Sequence, residues 1–366
     1  MYEAISRPLD LGGVRLKNRI VFAPTTLGLF GKKQEQALRR IAAGGCALAW
    51  IGDVPVGRRG PGSLFSPKGF ERYRRLAAAL HGGGCLAGAQ LHQSDSDFGA
   101  MAKYLPALLA GRMGPDELRR KLNEAAGPYI TGLPARRVAA ITAAFGPAAS
   151  QARRAGFDLV QVHGDRMCGS FASPLCNQRT DLYGGSLENR LRFALEAVRA
   201  VRLSEPDLPI DFKLAVRLEG YGRAGLLPGE LAEAVPLLEA AGVTSFHVTL
   251  ADHGDLTDTI PPADHPAFGA EGCFLFLCDL VRRYTRLPVC GVGGFTDPEF
   301  VERQLAAGRI DCAAMSRQLI ADPDWPNKVL SGNANEARRC ARCNRCLNGL
   351  MAHNGVHCIF EGGNGQ

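Results

Sequence analysis

The chain has 366 residues, 46% hydrophobic and 22% charged, with 12 cysteines and a formal net charge of +7. The mean hydropathy is −0.05, and no apolar run nears the ~18 residues of a membrane span; the Lys/Arg excess forms no block that would mark a nucleic-acid surface, so neither a membrane nor a nucleic acid is expected as partner. The opening MYEAISRPLDLGG lacks the charged-then-apolar pattern of a secretory signal, so the cysteines point to a reducing cytoplasm rather than a disulfide scaffold.

Short apolar runs alternate with helical patterns along the chain. RIVFAPT (19–25), CALAWIGDV (46–54), CLAGAQLH (85–92), FDLVQVHG (157–164), PIDFKLAV (209–216), VTSFHVTL (243–250), LPVCGVGG (287–294) and IDCAAMSR (310–317) each read as a strand bounded by Gly, Pro or polar residues. Between them, Leu187, Leu191, Ala194, Val198 and Val201 recur at helical spacing, as do Leu231, Val235 and Leu238. Several helical patterns run into a glycine stop before the next strand, as in AGF, AGV and GGC. Alternation predicts a parallel sheet, and eight repeats predict closure into an α/β TIM (β/α)8 barrel. The segment 95–135 is too long for an ordinary strand-to-helix loop and is expected to carry its own helix over one barrel face; 251–272 is a second long loop. Both follow strand ends, where barrel active sites are built. No interdomain linker interrupts the pattern, so residues 1–335 are expected to form the barrel and 336–366 a cysteine-rich extension.

That extension holds Cys340, Cys343, Cys346 and Cys358 in a C-x2-C-x2-C-x11-C run. Three thiolates on one tight turn and a fourth returning later resemble the ligation of an iron–sulfur cluster. Four thiolates also make a structural zinc site, but zinc ligands usually come as two separated C-x2-C pairs, so a 4Fe–4S cluster is the preferred reading. Arg338, Arg339, Arg342 and Arg345 surround these cysteines.

LKNRIVFAPTT (16–26), AGFDLVQVHG (155–164), SPLCNQRTDLYGGSLENR (173–190), VGGFTDPEF (292–300) and SRQLIADPDWPNK (316–328) resemble the Old Yellow Enzyme family of FMN-dependent oxidoreductases. The tail narrows the resemblance to its iron–sulfur branch, which includes 2,4-dienoyl-CoA reductase, 2-enoate reductase and trimethylamine dehydrogenase. The resemblance implies that Ala23, Pro24, Thr25 and Thr26 lie against the flavin. It implies that Gly52 permits close approach and that Gln90 pairs with the pyrimidine edge. Lys213, ahead of Arg217, is expected to supply the cation near flavin N1 and O2. Gly293 and Gly294 end the seventh strand and Ser316 and Arg317 follow the eighth, forming a glycine-rich cradle for the FMN phosphate.

The substrate side departs from the family. His163 matches the first substrate-anchoring residue, but Arg166 stands in place of the second, Cys168 in place of the proton-donating tyrosine, and Gln93 in place of another histidine. Arg166 remains a donor suited to an anionic substrate. Cys168 and water are equal candidates for the proton source. The implied activity is reduction of an activated C=C bond in an enone, enoate or enoyl thioester. The alternatives are an oxidative dehydrogenase or demethylase that passes electrons to the cluster, and a non-catalytic electron-transfer subunit. No strand–GxGxxG–helix unit of a dinucleotide domain is present. Electrons are therefore expected from NAD(P)H acting directly on FMN or from a donor protein or subunit, unless the chain is part of a longer one; the reading is compatible with a homo-oligomer.

Overall fold

Each of the eight apolar runs contains a strand. The computed structural model describes residues 2–60, 62–96, 103–351 and 355–360. An antiparallel hairpin, β1 (Leu9–Leu11) and β2 (Val14–Leu16), comes first. It is followed by β3 (Ile20–Phe22), β4 (Leu48–Pro55), β5 (Leu86–His92), β6 (Leu159–Val162), β7 (Ile210–Val216), β8 (Ser245–Leu250), β9 (Val289–Val292) and β10 (Cys312–Met315). These eight close into a barrel, all neighbours parallel, with β10 pairing β3 to seal the ring.

The helices that were expected from periodicity form where the apolar stripe lies. Leu187–Ser204 starts on Ser186, whose side chain accepts the Asn189 N–H, and buries Leu191, Ala194, Val198 and Val201. Leu231–Ala241 buries Leu231, Val235 and Leu238 and ends at Gly242, which adopts φ +119°. Only a residue without Cβ takes that left-handed stop cheaply.

Strand parity sorts the barrel interior into layers. The lower layer is apolar: Val21, Leu48, Trp50, Leu159, Cys290 and Cys312 pack together, and Leu11 and Leu16 of the hairpin close the bottom. Trp50 fills this layer because β5 presents Gly88 opposite it; a Cβ there would stand 2.2 Å from Trp50 Cε3. One layer higher the inward residues are polar. Gln90 Nε2 donates to Gln161 Oε1 at 2.6 Å, and Gln161 Nε2 donates to Asp211 Oδ1 at 2.6 Å. Ser245 Oγ donates to Asp211 Oδ2 at 2.7 Å. Burial pushes the Asp211 carboxyl up to about 7, with these two donors only partly offsetting it. Burial, and then the Lys213 charge, pushes His247 down to about 3.

The segment 95–135 carries the helices Leu105–Leu109 and Pro115–Gly132, and the second brings Asp116 and Arg119 to the barrel mouth. Residues 97–102 of that segment lie outside the described residues. The run that most distinguishes the sequence, 177–190, proves to be scaffold. Asn177 Nδ2 donates to the carbonyls of Phe171 and Tyr183 at 2.7 and 2.6 Å. Arg179 Nη1 donates to the carbonyls of Ile130 and Leu133 at 2.7 and 2.6 Å, tying down the end of the inserted helix. Arg190 pairs with Glu230 at 2.6 Å.

The cysteine tail lies across the mouth of the barrel. Val356 N–H donates to Leu27 O at 2.7 Å, and the Gln318 side chain bonds both Arg338 O and Cys340 N–H at 2.8 and 2.9 Å. Among the described residues no helix is long and apolar enough to cross a membrane.

Two outcomes follow from the interior. Gly88→Ala is expected to destabilise the fold by about 1–3 kcal/mol through displacement of the Trp50 ring, read as a lower denaturant midpoint. Asp211 holds a proton in the native state over a pH range where the unfolded chain has released it. Its contribution is therefore favourable at low pH and is lost as pH rises from about 4 to about 7. Asp211→Asn removes that loss, so urea melts should show the variant gaining on the wild type between those pH values; a constant difference would contradict the assignment.

Candidate active site

A cleft of about 520 Å³ opens at the C-terminal ends of the strands. Its floor continues the inward parity of the barrel: Ala23, Gly52, Gln90, His163, Lys213, Thr249, Val292 and Ala314 all line it. Pro24, Thr25, Thr26, Arg166, Gly293, Gly294, Ser316 and Arg317 line it from the loops that follow. The expected cofactor-side residues are thus brought together, with one exception. Arg217 is buried beyond the end of β7, its backbone N–H donates to Leu226 O, and it does not reach the cleft. Lys213 is the β7 cation that does.

The geometry suits a flavin mononucleotide. Thr25 Oγ1 donates to Ala23 O at 2.8 Å and lies at hydrogen-bond distance, 2.8 Å, from Ser316 Oγ, which joins the ends of β3 and β10 into one wall. Gln90 Oε1 accepts the Asp53 N–H at 3.3 Å, so its amide is held at the second strand's turn beside Gly52. Gly293 and Gly294 have φ +134° and +71°, and a Cβ on Gly294 would stand 2.8 Å from Arg342 Nη1. Arg317 lies between this turn and the tail. Burial lowers its pKa, and the like charge of Arg342 adds to the effect. Arg342 stands against the glycine turn and Arg317 lines the same cleft, a pairing of guanidiniums and glycine N–H groups that suits an anion.

On the opposite side, a chain of charged groups crosses the cleft wall. His163 is 9% exposed. Its Nδ1 lies 2.7 Å from His92 Nδ1, while its Nε2 stands against Asp165 Oδ1 in a close contact that is not an aligned hydrogen bond. Asp165 Oδ2 lies 3.0 Å from Lys213 Nζ. Burial alone would raise the Asp165 carboxyl, but His163 and Lys213 outweigh it and hold the group well below the usual carboxylate range. Arg166 Nη2 pairs with Asp252 Oδ2 at 2.9 Å, and Arg119 Nη2 with Asp252 Oδ1 at 2.7 Å. Arg166 is therefore already engaged by a carboxylate.

Cys168 lies elsewhere. It sits on the helix Met167–Ala172, is 2% exposed, and its thiol is pushed far up by burial and by the Asp165 charge. It does not line the cleft. Sequence reasoning missed His92, Asp53, Asp165 and Arg119. The first had a legible signal, since His92 shares the inward parity of Gly88 and Gln90 on β5. Asp53 had none, because a bulge between Ile51 and Val54 breaks the alternation there and turns Asp53 to φ +53°.

The four tail cysteines converge. Cys340, Cys343, Cys346 and Cys358 line one small cavity together with Arg317, Asn344 and Phe360. The Cys340 thiol is raised by burial first, while Arg317 opposes and the Cys358 and Cys343 thiols add to the rise. Arg342 N–H donates to Cys340 Sγ at 3.3 Å. Arg342 and Asn344 adopt φ +50° and +57°, so the chain wraps tightly between the first and third cysteines. Arg317, Ile320, Cys340 and Cys346 line both this cavity and the large cleft, forming the partition between them. Among the described residues the ligand-type trio whose atoms all lie within 4.8 Å of one another is Asp53–His92–His163.

Comparison with known proteins matches this architecture. A family model described as NADH:flavin oxidoreductase / NADH oxidase matches residues 4–336. The chain is 57% identical over 366 residues to a bilirubin reductase of Clostridium symbiosum (strain WAL-14163), covering 99% of this chain and 98% of that protein. It is 35% identical over 373 residues to a bilirubin reductase of Mediterraneibacter gnavus (strain CC55_001C), covering 98% of this chain but 56% of that longer protein. Among solved structures, 2-naphthoyl-CoA reductase in complex with 2-naphthoyl-CoA superposes with a TM-score of 0.78 at 22% identity, over 98% of this chain and 57% of that one. That likeness is one of fold.

Proposed function

Since the chain belongs to the NADH:flavin oxidoreductase / NADH oxidase family, we propose that this FMN-dependent oxidoreductase reduces an activated C=C bond, carries a 4Fe–4S cluster, and takes bilirubin as its substrate. One observation carries the choice: the identity of 57% to the C. symbiosum bilirubin reductase extends over 99% of the chain. Bilirubin is a conjugated molecule, and its C=C bonds are of the activated kind the site is suited to.

In this reading Ala23, Pro24 and Thr25 seat the flavin ring, with Thr26 beside them, and Gly52 leaves room for it. Gln90 presents its amide to the pyrimidine edge. Lys213 supplies positive charge at the same end of the ring, which favours the reduced, anionic form. Gly293, Gly294, Ser316 and Arg317 hold the phosphate. When bound, FMN supplies a hydride at its N5 position and can hold one electron or two. The protein's part is to orient the substrate over the ring and to provide a proton. His163 faces the substrate, and Arg166, fixed by Asp252, shapes the same wall. The burial of Cys168 leaves the proton to another group.

Cys340, Cys343, Cys346 and Cys358 would hold the cluster, which supplies single-electron carriage. Three thiols within seven residues and a fourth returning later favour a cluster over zinc, whose ligands usually come as two separated pairs, and the N–H···S contact from Arg342 is of the kind that stabilises cluster sulfurs. The external electron donor in this reading is NAD(P)H or a redox protein.

Protein purified without oxygen is expected to contain FMN, iron and acid-labile sulfide. When reduced, it should bleach bilirubin while its flavin is reoxidised. A flavin that is reduced yet reoxidised by neither bilirubin nor a panel of enones, enoates and enoyl thioesters would sink the proposal. Cys343→Ser is expected to lose most of the bound iron, by colorimetric assay, while retaining flavin. Retention of full iron and sulfide would show that the cysteines do not act as ligands.

A further inference from the structure

The site as described has an acid to find. Reduction of a C=C bond needs a proton as well as a hydride, and the thiol that stands at the expected donor position is buried away from the cleft. The described residues offer one other connected route. His163 forms part of the cleft wall. Behind it stands His92, 18% exposed at its side chain, with the two Nδ1 atoms 2.7 Å apart. That separation is the length of a hydrogen bond. The rings are tilted at 46° with centroids 4.8 Å apart, so the contact is edge to edge between nitrogens and does not arise from ring stacking.

We propose that His92 feeds protons from solvent to His163, and that His163 delivers them to the substrate. The proposal rests on the C=C reductase reading given above. Imidazole is suited to the task because it can take a proton at one nitrogen and release one at the other. The proton enters at Nδ1, facing His92. It leaves at Nε2, the edge beside Asp165, where the contact with the carboxylate is close but unaligned. Bound FMN would supply the hydride to one carbon of the C=C bond, which would leave the π pair on the other. That carbon takes the Nε2 proton and a second C–H bond forms. Nδ1 takes the proton of His92 Nδ1 in the same movement, and His92 regains one from water at Nε2. Proton exchange with water in the emptied cleft restores the starting tautomers.

The groups around the pair fit this role. Asp53, from the end of β4, lies 3.7 Å from His92 Nδ1 and 3.6 Å from His163 Nδ1. It accepts a hydrogen bond from Thr26 Oγ1 at 3.2 Å. The bulge and the left-handed backbone at Asp53 are a local strain of the kind that clusters at functional sites. They place a carboxylate beside both Nδ1 atoms. Asp165 stands at the far edge of the His163 ring, held as a carboxylate by Lys213. Asp95 and Arg166 complete the charged surroundings of His92, raising and lowering its pKa respectively. Burial, and then His163, sets His92 at about 4. It is therefore neutral near pH 7, which suits a relay better than a store.

The test is His92→Gln in the flavin-loaded protein, with His92→Asn as the second variant if the first does not retain flavin. Turnover is expected to fall about 10–100-fold, the usual worth of a positioned acid, with KM within about twofold. Added imidazole should restore much of the rate, and the solvent deuterium isotope effect should rise. A reading independent of turnover comes from 15N spectra of the ring nitrogens in the resting protein. In the wild type the 15N signals should show a hydrogen bond between the two Nδ1 atoms, and the His163 signals should change in the variant. Wild-type turnover in the variant, or a slowed variant that imidazole does not restore, overturns the relay. Absence of a hydrogen bond between the two rings overturns it as well. If the wild type itself reduces no C=C compound, the reductase reading fails, and the nitrogen spectra still decide whether the pair shares a proton.

Discussion

Closure of eight parallel strands forces every second side chain into a shared interior, and the candidate site depends on that constraint. The same alternation that puts Trp50 opposite Gly88 near the bottom places Gln90, Gln161 and Asp211 one layer up and His163 and Lys213 at the mouth. No loop has to be designed to bring these side chains together. The loops add only what the strands cannot supply: a glycine turn at 293–294, the guanidiniums of Arg317 and Arg342, and the carboxylates of Asp53 and Asp252. A rigid, dry base under a charged mouth is also what lets small displacements matter chemically.

At the mouth, charge is balanced locally. Asp165 sits between His163 and Lys213, and Asp252 between Arg166 and Arg119. Each carboxylate bridges two basic side chains from different parts of the chain, so neither base on its own defines the site. This arrangement bears on the expectation of an anionic substrate. The substrate side gathers Asp53, Asp116, Asp165 and Asp252 against Arg119, Arg166 and Lys213, and the spare positive charge lies instead at Arg317 and Arg342, by the glycine turn. The surroundings favour an anion at that end, while the charges on the substrate side are paired with one another.

Much of this was legible in the residues. Seven of the eight strands lie inside the apolar runs that marked them and β4 overruns its run by Pro55 alone, because short buried strands bounded by turn residues leave a strong local signal. Ala23, Pro24, Thr25, Gly52, Gln90, Lys213, Gly293, Gly294, Ser316 and Arg317 could be picked out by resemblance and converge on one cleft. The hairpin of β1 and β2 escaped notice because three-residue strands carry no usable period. Its purpose, closing the barrel bottom with Leu11 and Leu16, is a tertiary matter. Arg217 and Lys213 could not be separated by spacing, since four residues along a strand preserve parity; the end of β7 at Val216 separates them. Burial of Cys168 followed from a helix whose six residues are all buried, which the local sequence does not announce. Asp53 and Arg119 depended on a bulge and on an inserted helix, two features with no fixed register.

The partition between the two cavities has a consequence for how the molecule is assembled. Cys340, Arg342 and Cys346 come from the last part of the chain, yet they form wall of the cleft that begins with Ala23 on the first barrel strand. The cleft is thus finished by residues far along the chain from the strand that opens it, and whose own conformation, with two non-glycine residues at positive φ, is one the bare chain would not choose cheaply. The two cavities therefore share a wall, and whatever orders the cysteine turn also fixes one side of the cleft.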